Sequence, residues 1–231
     1  MPKPQQLVLD LPSRPALGRE DFFVSPSNAV ALAALDRWPN WPAKKLALCG
    51  PVSAGKSHLV QVWAARSGGV VLSAGEVAKH DIPTLASAKH VAVEDVDRLS
   101  TLNDAQRRKA EEALFHLHNR LLASGGTLLV TGVSAPAFWD IKVPDLVSRL
   151  RACEVAALES PDDGLLSAVL VKLFSDRQLE VSPDLIRYLL PRMERSFQAA
   201  RNTVESLDKA SLSRRRPITT RLAGEVLRQQ I

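Results

Sequence analysis

The sequence predicts an α/β domain built on a five-stranded parallel sheet, followed by a small all-helical domain. Three observations carry this. Over the first two thirds of the 231 residues, short apolar runs alternate with helical patterns, and after residue 159 only helical patterns remain. A glycine-rich stretch at 50–57 joins the first apolar run to its helix. Strands alternating with helices build a parallel sheet covered on both faces.

The elements follow in order. KKLALCG (44–50) reads as a buried strand and is followed by a helix over about 56–66. GVVLSA (69–74) and HVAVEDV (90–96) are the second and third strands. A long amphipathic helix covers about 104–123 and stops at Gly125 and Gly126, where TLLVTG (127–132) begins the fourth strand. EVAAL (154–158) is the fifth. SPDDGLLSAVLVKLFSDR (160–177) opens on Ser-Pro-Asp, a helix start. VSPDLIRYLLPRM, RSFQAARNTVESLDKASL and ITTRLAGEVLRQ supply three further apolar helical faces. The expected division is an N-terminal segment at 1–15, the α/β domain at 16–159 and a helical lid at 160–231.

Composition narrows the class. At 45% apolar and 24% charged residues, the chain is ordinary soluble protein. Its start lacks the charged head and apolar run of a signal peptide, and no apolar stretch is long enough to cross a bilayer. No membrane partner is expected. Cys49 and Cys153 are isolated in apolar runs, the pattern of buried free thiols in a reducing cytoplasm. The net charge of +5 allows an anionic partner without requiring one. The densest basic run, SLSRRRP (211–217), reads as a solvated turn between helices.

GPVSAGKS (50–57) fits G-x-x-x-x-G-K-[ST] in the required context of strand, loop and helix. Gly50, Pro51, Val52, Ser53, Ala54, Gly55, Lys56 and Ser57, with His58 behind them, are the expected nucleotide-binding stretch. The two glycines let the backbone wrap phosphates, and the helix N-terminus points N–H groups at the anion. Lys56 supplies a charge for the terminal phosphates and Ser57 a hydroxyl for Mg²⁺, so ATP or ADP with Mg²⁺ is the expected cofactor. The third strand ends in Glu94 and Asp95, the candidate metal and catalytic pair, because carboxylates after an apolar strand need a partner. Glu94 is longer than the Asp usual at this place. Thr131, at the end of the fourth strand, is placed to position a water; an ordinary strand-end threonine is the alternative.

These motifs, with PDLVSRL (144–150) and the helical lid, resemble AAA+ ATPases of the DnaA/Hda branch, most closely its Hda type. FFVSPSNAVALAAL (22–35), ALFHLHNRLLASGGTLLVTG and LDKASLSRRRPIT carry the same similarity. The resemblance implies that residues around Val24 pack on adenine and that Arg149 is an arginine finger acting in trans. It places the lid's nucleotide-sensing position at Gln198 rather than an arginine, with Arg195 and Arg201 three residues to either side; whether one of them reaches the phosphates in its place or the contact is lost stays open. It also changes the reading of QLVLDL (6–11), whose Leu7, Leu9 and Leu11 share one face of an extended segment between prolines. That stretch is similar to peptides that dock on the DNA polymerase III sliding clamp, with Gln6 fixing the register. An edge strand folded onto the protein's own surface is the alternative.

The implied function is negative regulation of replication initiation. The protein would bind ATP or ADP, dock on the clamp and promote hydrolysis of DnaA-bound ATP, with little turnover of its own and only indirect contact with DNA. Self-association through the finger-bearing face stays open. So do two alternatives: a truncated DnaA-type initiator or origin-associated adaptor that binds nucleic acid, and a helicase-loader ATPase. The missing helix-turn-helix region and the short stretch at 74–89 count against an initiator.

Overall fold

The computed structural model describes residues 23–228. Gln6, Leu7, Leu9 and Leu11 lie outside the described residues, as do 229–231.

The five strands are β1 (Lys45–Cys49), β2 (Val70–Ser73), β3 (His90–Glu94), β4 (Thr127–Gly132) and β5 (Glu154–Ala157). All pair in parallel, in the spatial order β2-β3-β4-β1-β5. The predicted five-stranded α/β sheet is therefore present. β1 lies centrally between β4 and β5, where the order of connection reverses. In open parallel sheets, ligands bind beyond the carboxyl ends of the strands at such a point.

Side-chain alternation divides the core in two. Leu46 and Leu48 of β1 pack with Leu129, Leu59 and Trp63 beneath α1 (Ala29–Asp36) and α2 (Lys56–Ser67). Ala47 and Cys49 pack with Val93, Val130, Leu117 and Leu150 on the opposite face. That face is covered by α3 (Ile82–Ser87), α4 (Asp104–Ala123) and α5 (Pro144–Arg151). The lid has its own core, in which Leu170, Phe174, Leu185 and Val204 are buried among α6 (Asp163–Asp176), α7 (Pro183–Leu189), α8 (Phe197–Arg214) and α9 (Thr220–Leu227). Leu158 N–H donates to the Cys49 carbonyl at 2.7 Å, and Glu159 N–H to Ser27 at 3.0 Å, tying the start of the lid connection to the sheet.

Some boundaries differ from the sequence reading. α6 starts after Asp162 rather than at Ser160, because the Asp162 carboxylate accepts the Leu165 N–H at 2.8 Å and so caps the helix. α8 runs on through the basic stretch to Arg214, and Arg215 ends it in the left-handed region at φ 50°. Arg214 pairs with Glu225 of α9 at 2.5 Å, so part of that run ties two lid helices together. Both cysteines are free and buried. Burial pushes the Cys49 thiol up to about 12 and the Cys153 thiol to about 11. Among the described residues, no helix is long and apolar enough to cross a membrane.

Candidate nucleotide site

The loop after β1 is shaped by two glycines. A Cβ on Gly50 would stand 2.6 Å from the Leu158 carbonyl oxygen, so only glycine lets β1 turn into the loop against β5. Gly55 has φ +99°, a conformation L-residues rarely adopt, and there it ends the loop and starts α2. A Cβ on Gly55 would also stand 2.8 Å from the ring of Phe197 on the lid. Between them, Ser53 takes φ 59°. The wound loop opens onto the N-terminus of α2, whose first N–H groups have no acceptor within the helix.

Lys56 is 8% exposed. Its Nζ donates to the carbonyls of Gly50 and Pro51 at 2.7 and 2.8 Å, holding the ammonium under its own loop. Burial lowers its pKa, and the carboxylates of Asp95 and Asp97 act against that.

A cavity of about 300 Å³ lies over the loop. Val52, Ser53, Gly55, Lys56, Ser57 and His58 form its floor, Asp95, Arg98 and Val133 one wall, and Phe197, Gln198 and Arg201 the lid wall. Among the described residues, three cationic side chains thus face one carboxylate, a balance that suits a polyanion. Ala54 sits 5% exposed in the core beneath, while Gly50 and Pro51 contribute the carbonyls that bind Lys56. Val24, 70% exposed, does not line the cavity.

Asp95 lines the cavity at φ 57°, a left-handed conformation that Asp tolerates better than most residues. Its backbone N–H donates to Thr131 Oγ1 at 3.0 Å, which pins the turn after β3. Thr131 is fully buried and does not line the cavity. Glu94 closes β3, half-buried, and does not line the cavity either. Among the described residues, no cluster of three or more His, Cys, Asp or Glu side chains forms a metal site of its own. The Ser57 hydroxyl and the Asp95 carboxylate are the oxygen donors at hand. They fit a hard cation that takes its other ligands from phosphates and water.

Arg149 stands apart. It is exposed on the last turn of α5 and does not line the cavity. Its guanidinium makes no hydrogen bond or ion pair that would tie it down among the described residues.

The sequence reading left four groups unassigned. Arg98 lines the cavity, 3.7 Å from the Asp95 carboxylate. Arg201 lines it from the lid, whereas Arg195 is held away by Asp163 at 2.9 Å. Phe197 covers Gly55, and its N–H donates to the Ser53 carbonyl at 3.2 Å. Asp97 accepts the Val133 N–H at 2.8 Å through one oxygen and has its other oxygen buried without a partner among the described residues. Asp97 was visible as the third acid of VEDVD, but nothing in the spacing separates it from a solvated turn residue.

Residues 163–227 match the family model described as the Hda lid domain. The chain is similar in fold to domain III of the replication initiation protein DnaA from Thermotoga maritima. That match has a TM-score of 0.78 at 19% identity and covers 95% of this chain and 98% of that one. AMPPCP-bound DnaA from Aquifex aeolicus matches with a TM-score of 0.69 at 18% identity, over 87% of this chain and 67% of that one. The AAA domain of FIGL-1 in complex with ADP matches with a TM-score of 0.65 at 14% identity, over 86% and 77%.

Proposed function

We propose that this chain, an AAA+ protein of the DnaA/Hda branch, is a negative regulator of replication initiation that promotes hydrolysis of ATP bound to DnaA. One observation carries the reading: a lid of the Hda type accompanies an exposed Arg149, untethered among the described residues, that lies outside the chain's own nucleotide cavity. A guanidinium so placed is free to neutralise charge that develops on a phosphate held by a neighbouring molecule.

The chain's own site would hold ATP or ADP on the Ser53–His58 stretch, with Lys56 on the terminal phosphates. Ser57 and Asp95 would hold Mg²⁺, which when bound neutralises phosphate charge. Thr131 supports this site indirectly, by fixing the Asp95 backbone. Arg201 takes the place from which the lid senses nucleotide, since Gln198 beside it carries no charge and turns to Asn202 at 2.8 Å. Arg98 and Arg201 bring charge from opposite walls, so a bound polyphosphate would draw the lid and the α/β domain together. The role of the site is thus conformational, while the chemistry is lent to the partner.

Residues 6–11 would tether the protein to the DNA-loaded sliding clamp, which confines its action to chromosomes already being replicated. Two experiments test the parts separately. Deleting residues 1–11 is expected to remove clamp affinity and leave ADP affinity unchanged. Clamp binding that survives the deletion rejects the tether. In the second, DnaA-bound ATP is followed with DNA-loaded clamp, with and without this protein, and faster hydrolysis is expected in its presence.

A further inference from the structure

α5, which carries Arg149, is only eight residues long, too short to hold its own shape. Two leucines, Leu146 and Leu150, anchor its inner face. What else fixes it is unusual. Among the described residues, four Lys, Arg, Asp or Glu side chains are buried: Lys45, Lys56, Arg107 and Glu111. Lys56 belongs to the phosphate loop. The other three all end on the segment from Asp140 to Arg149.

At the head of α5 the fully buried Glu111 of α4 divides its carboxylate. One oxygen accepts Arg107 Nε at 2.8 Å, and the other accepts the N–H groups of Lys142 and Val143 at 2.8 and 2.9 Å. Val143, the residue before the helix, supplies no side-chain cap of its own. Arg107 also donates to the Asp140 carbonyl and lies 3.1 Å from its carboxylate. At the tail, Lys45 opens β1 at 4% exposure and donates from Nζ to the Arg149 carbonyl at 2.5 Å. His118 of α4 sits 3.5 Å from the same Nζ. A carboxylate at the N-terminal end and an ammonium at the C-terminal end both match the helix dipole.

Burying a charge is costly unless it is paired and hydrogen-bonded, and apolar side chains would fill these places at less expense. Three such charges converging on one short helix and the residues that lead into it therefore point to a demand for exact placement. We propose that Lys45 and Glu111 are positioning residues for Arg149, holding α5 by its two ends so that the guanidinium is presented to the partner in one place. The proposal rests on the reading of Arg149 as the group lent to DnaA. Lys45 and the phosphate loop lie at opposite ends of β1, so the strand that shapes the nucleotide loop also anchors the finger helix.

The test uses the full chain with Lys45→Met and Glu111→Gln. Three quantities are read: stimulation of DnaA-bound ATP hydrolysis on loaded clamp as a function of protein concentration, ADP affinity, and amide exchange along α5. A fall of at least about tenfold in maximal stimulation is expected, on the scale by which small misplacements slow reactions. The half-saturating concentration and ADP affinity should stay within about twofold, and exchange at 147–151 should quicken while that of β1 and β4 does not. Unchanged stimulation and unchanged exchange overturn the proposal. So does a loss that follows reduced ADP affinity and faster exchange in β1, which marks a merely structural role. If a variant fails to fold, the unsubstituted protein still decides: α5 amides exchanging faster than those of β1 and β4 refute the clamp. Arg149→Ala separates the two readings. If it leaves stimulation intact while Lys45→Met still loosens α5, the finger assignment falls and the helix clamp stands.

Discussion

The Phe197 N–H donates to the Ser53 carbonyl at 3.2 Å, so the longest lid helix is hydrogen-bonded at its first residue to the phosphate loop. The Phe197 ring lies against Gly55, where a Cβ would stand 2.8 Å from Cε2. Loop and lid are thus one site.

Gly55→Ala should damage that site twice. The positive φ costs an alanine about 1–2 kcal/mol, and the new methyl collides with Phe197. ADP affinity measured by calorimetry should fall by at least about tenfold, with the lid helices retained by circular dichroism. Affinity within twofold of the parent would mean that the loop is not wound as described.

Thr131 offers a test of a structural against a chemical role. Thr131→Val removes the acceptor of the Asp95 N–H and should cost about 1 kcal/mol of unfolding free energy. Thr131→Ser keeps the hydroxyl and should retain most of it. A larger loss in Thr131→Ser than in Thr131→Val would show that the methyl, rather than the hydrogen bond, is what matters.

The lid arginines should behave differently. Arg201 lines the cavity and Arg195 is paired with Asp163. Arg201→Ala should weaken ATP binding by about tenfold, the scale of one charge-assisted hydrogen bond, and Arg195→Ala by less than twofold. The reverse order would contradict the placement of α8 over the loop.

The thiols should be inert in the folded protein. With Cys49 near 12 and Cys153 near 11, almost no thiolate is present at pH 8. A thiol reagent should react with neither cysteine until denaturant is added. Rapid reaction of either one under native conditions would refute its burial.

Much of this was legible in the chain. LALC and TLLVTG are buried at every position and mostly apolar, because both faces of a central parallel strand are covered. The phosphate loop announces itself by spacing, and its strand and helix fell where the motif requires. The short helices α1 and α5 were not visible as helices. AVALAALD is nearly apolar all round, and PDLVSRLR spans barely two turns, so neither carries a sustained period. Arg98, Arg201 and Phe197 could not be assigned from spacing, because their common cavity exists only once the lid packs over the loop. The convergence of Lys45 and Glu111 on α5 was likewise hidden. In sequence Lys45 looks like the solvated end of a strand and Glu111 like one charge among many on a polar helix face.

The central claim is that Arg149 acts on a nucleotide held by another molecule. Hydrolysis of radiolabelled ATP bound to DnaA, with clamp loaded on DNA, tests it most directly when run without this protein, with it, and with Arg149→Ala. The protein should speed hydrolysis, and the variant should lose at least about tenfold of that effect while binding ADP and clamp as before. No acceleration by the unsubstituted protein, or equal acceleration by the variant, would contradict the account.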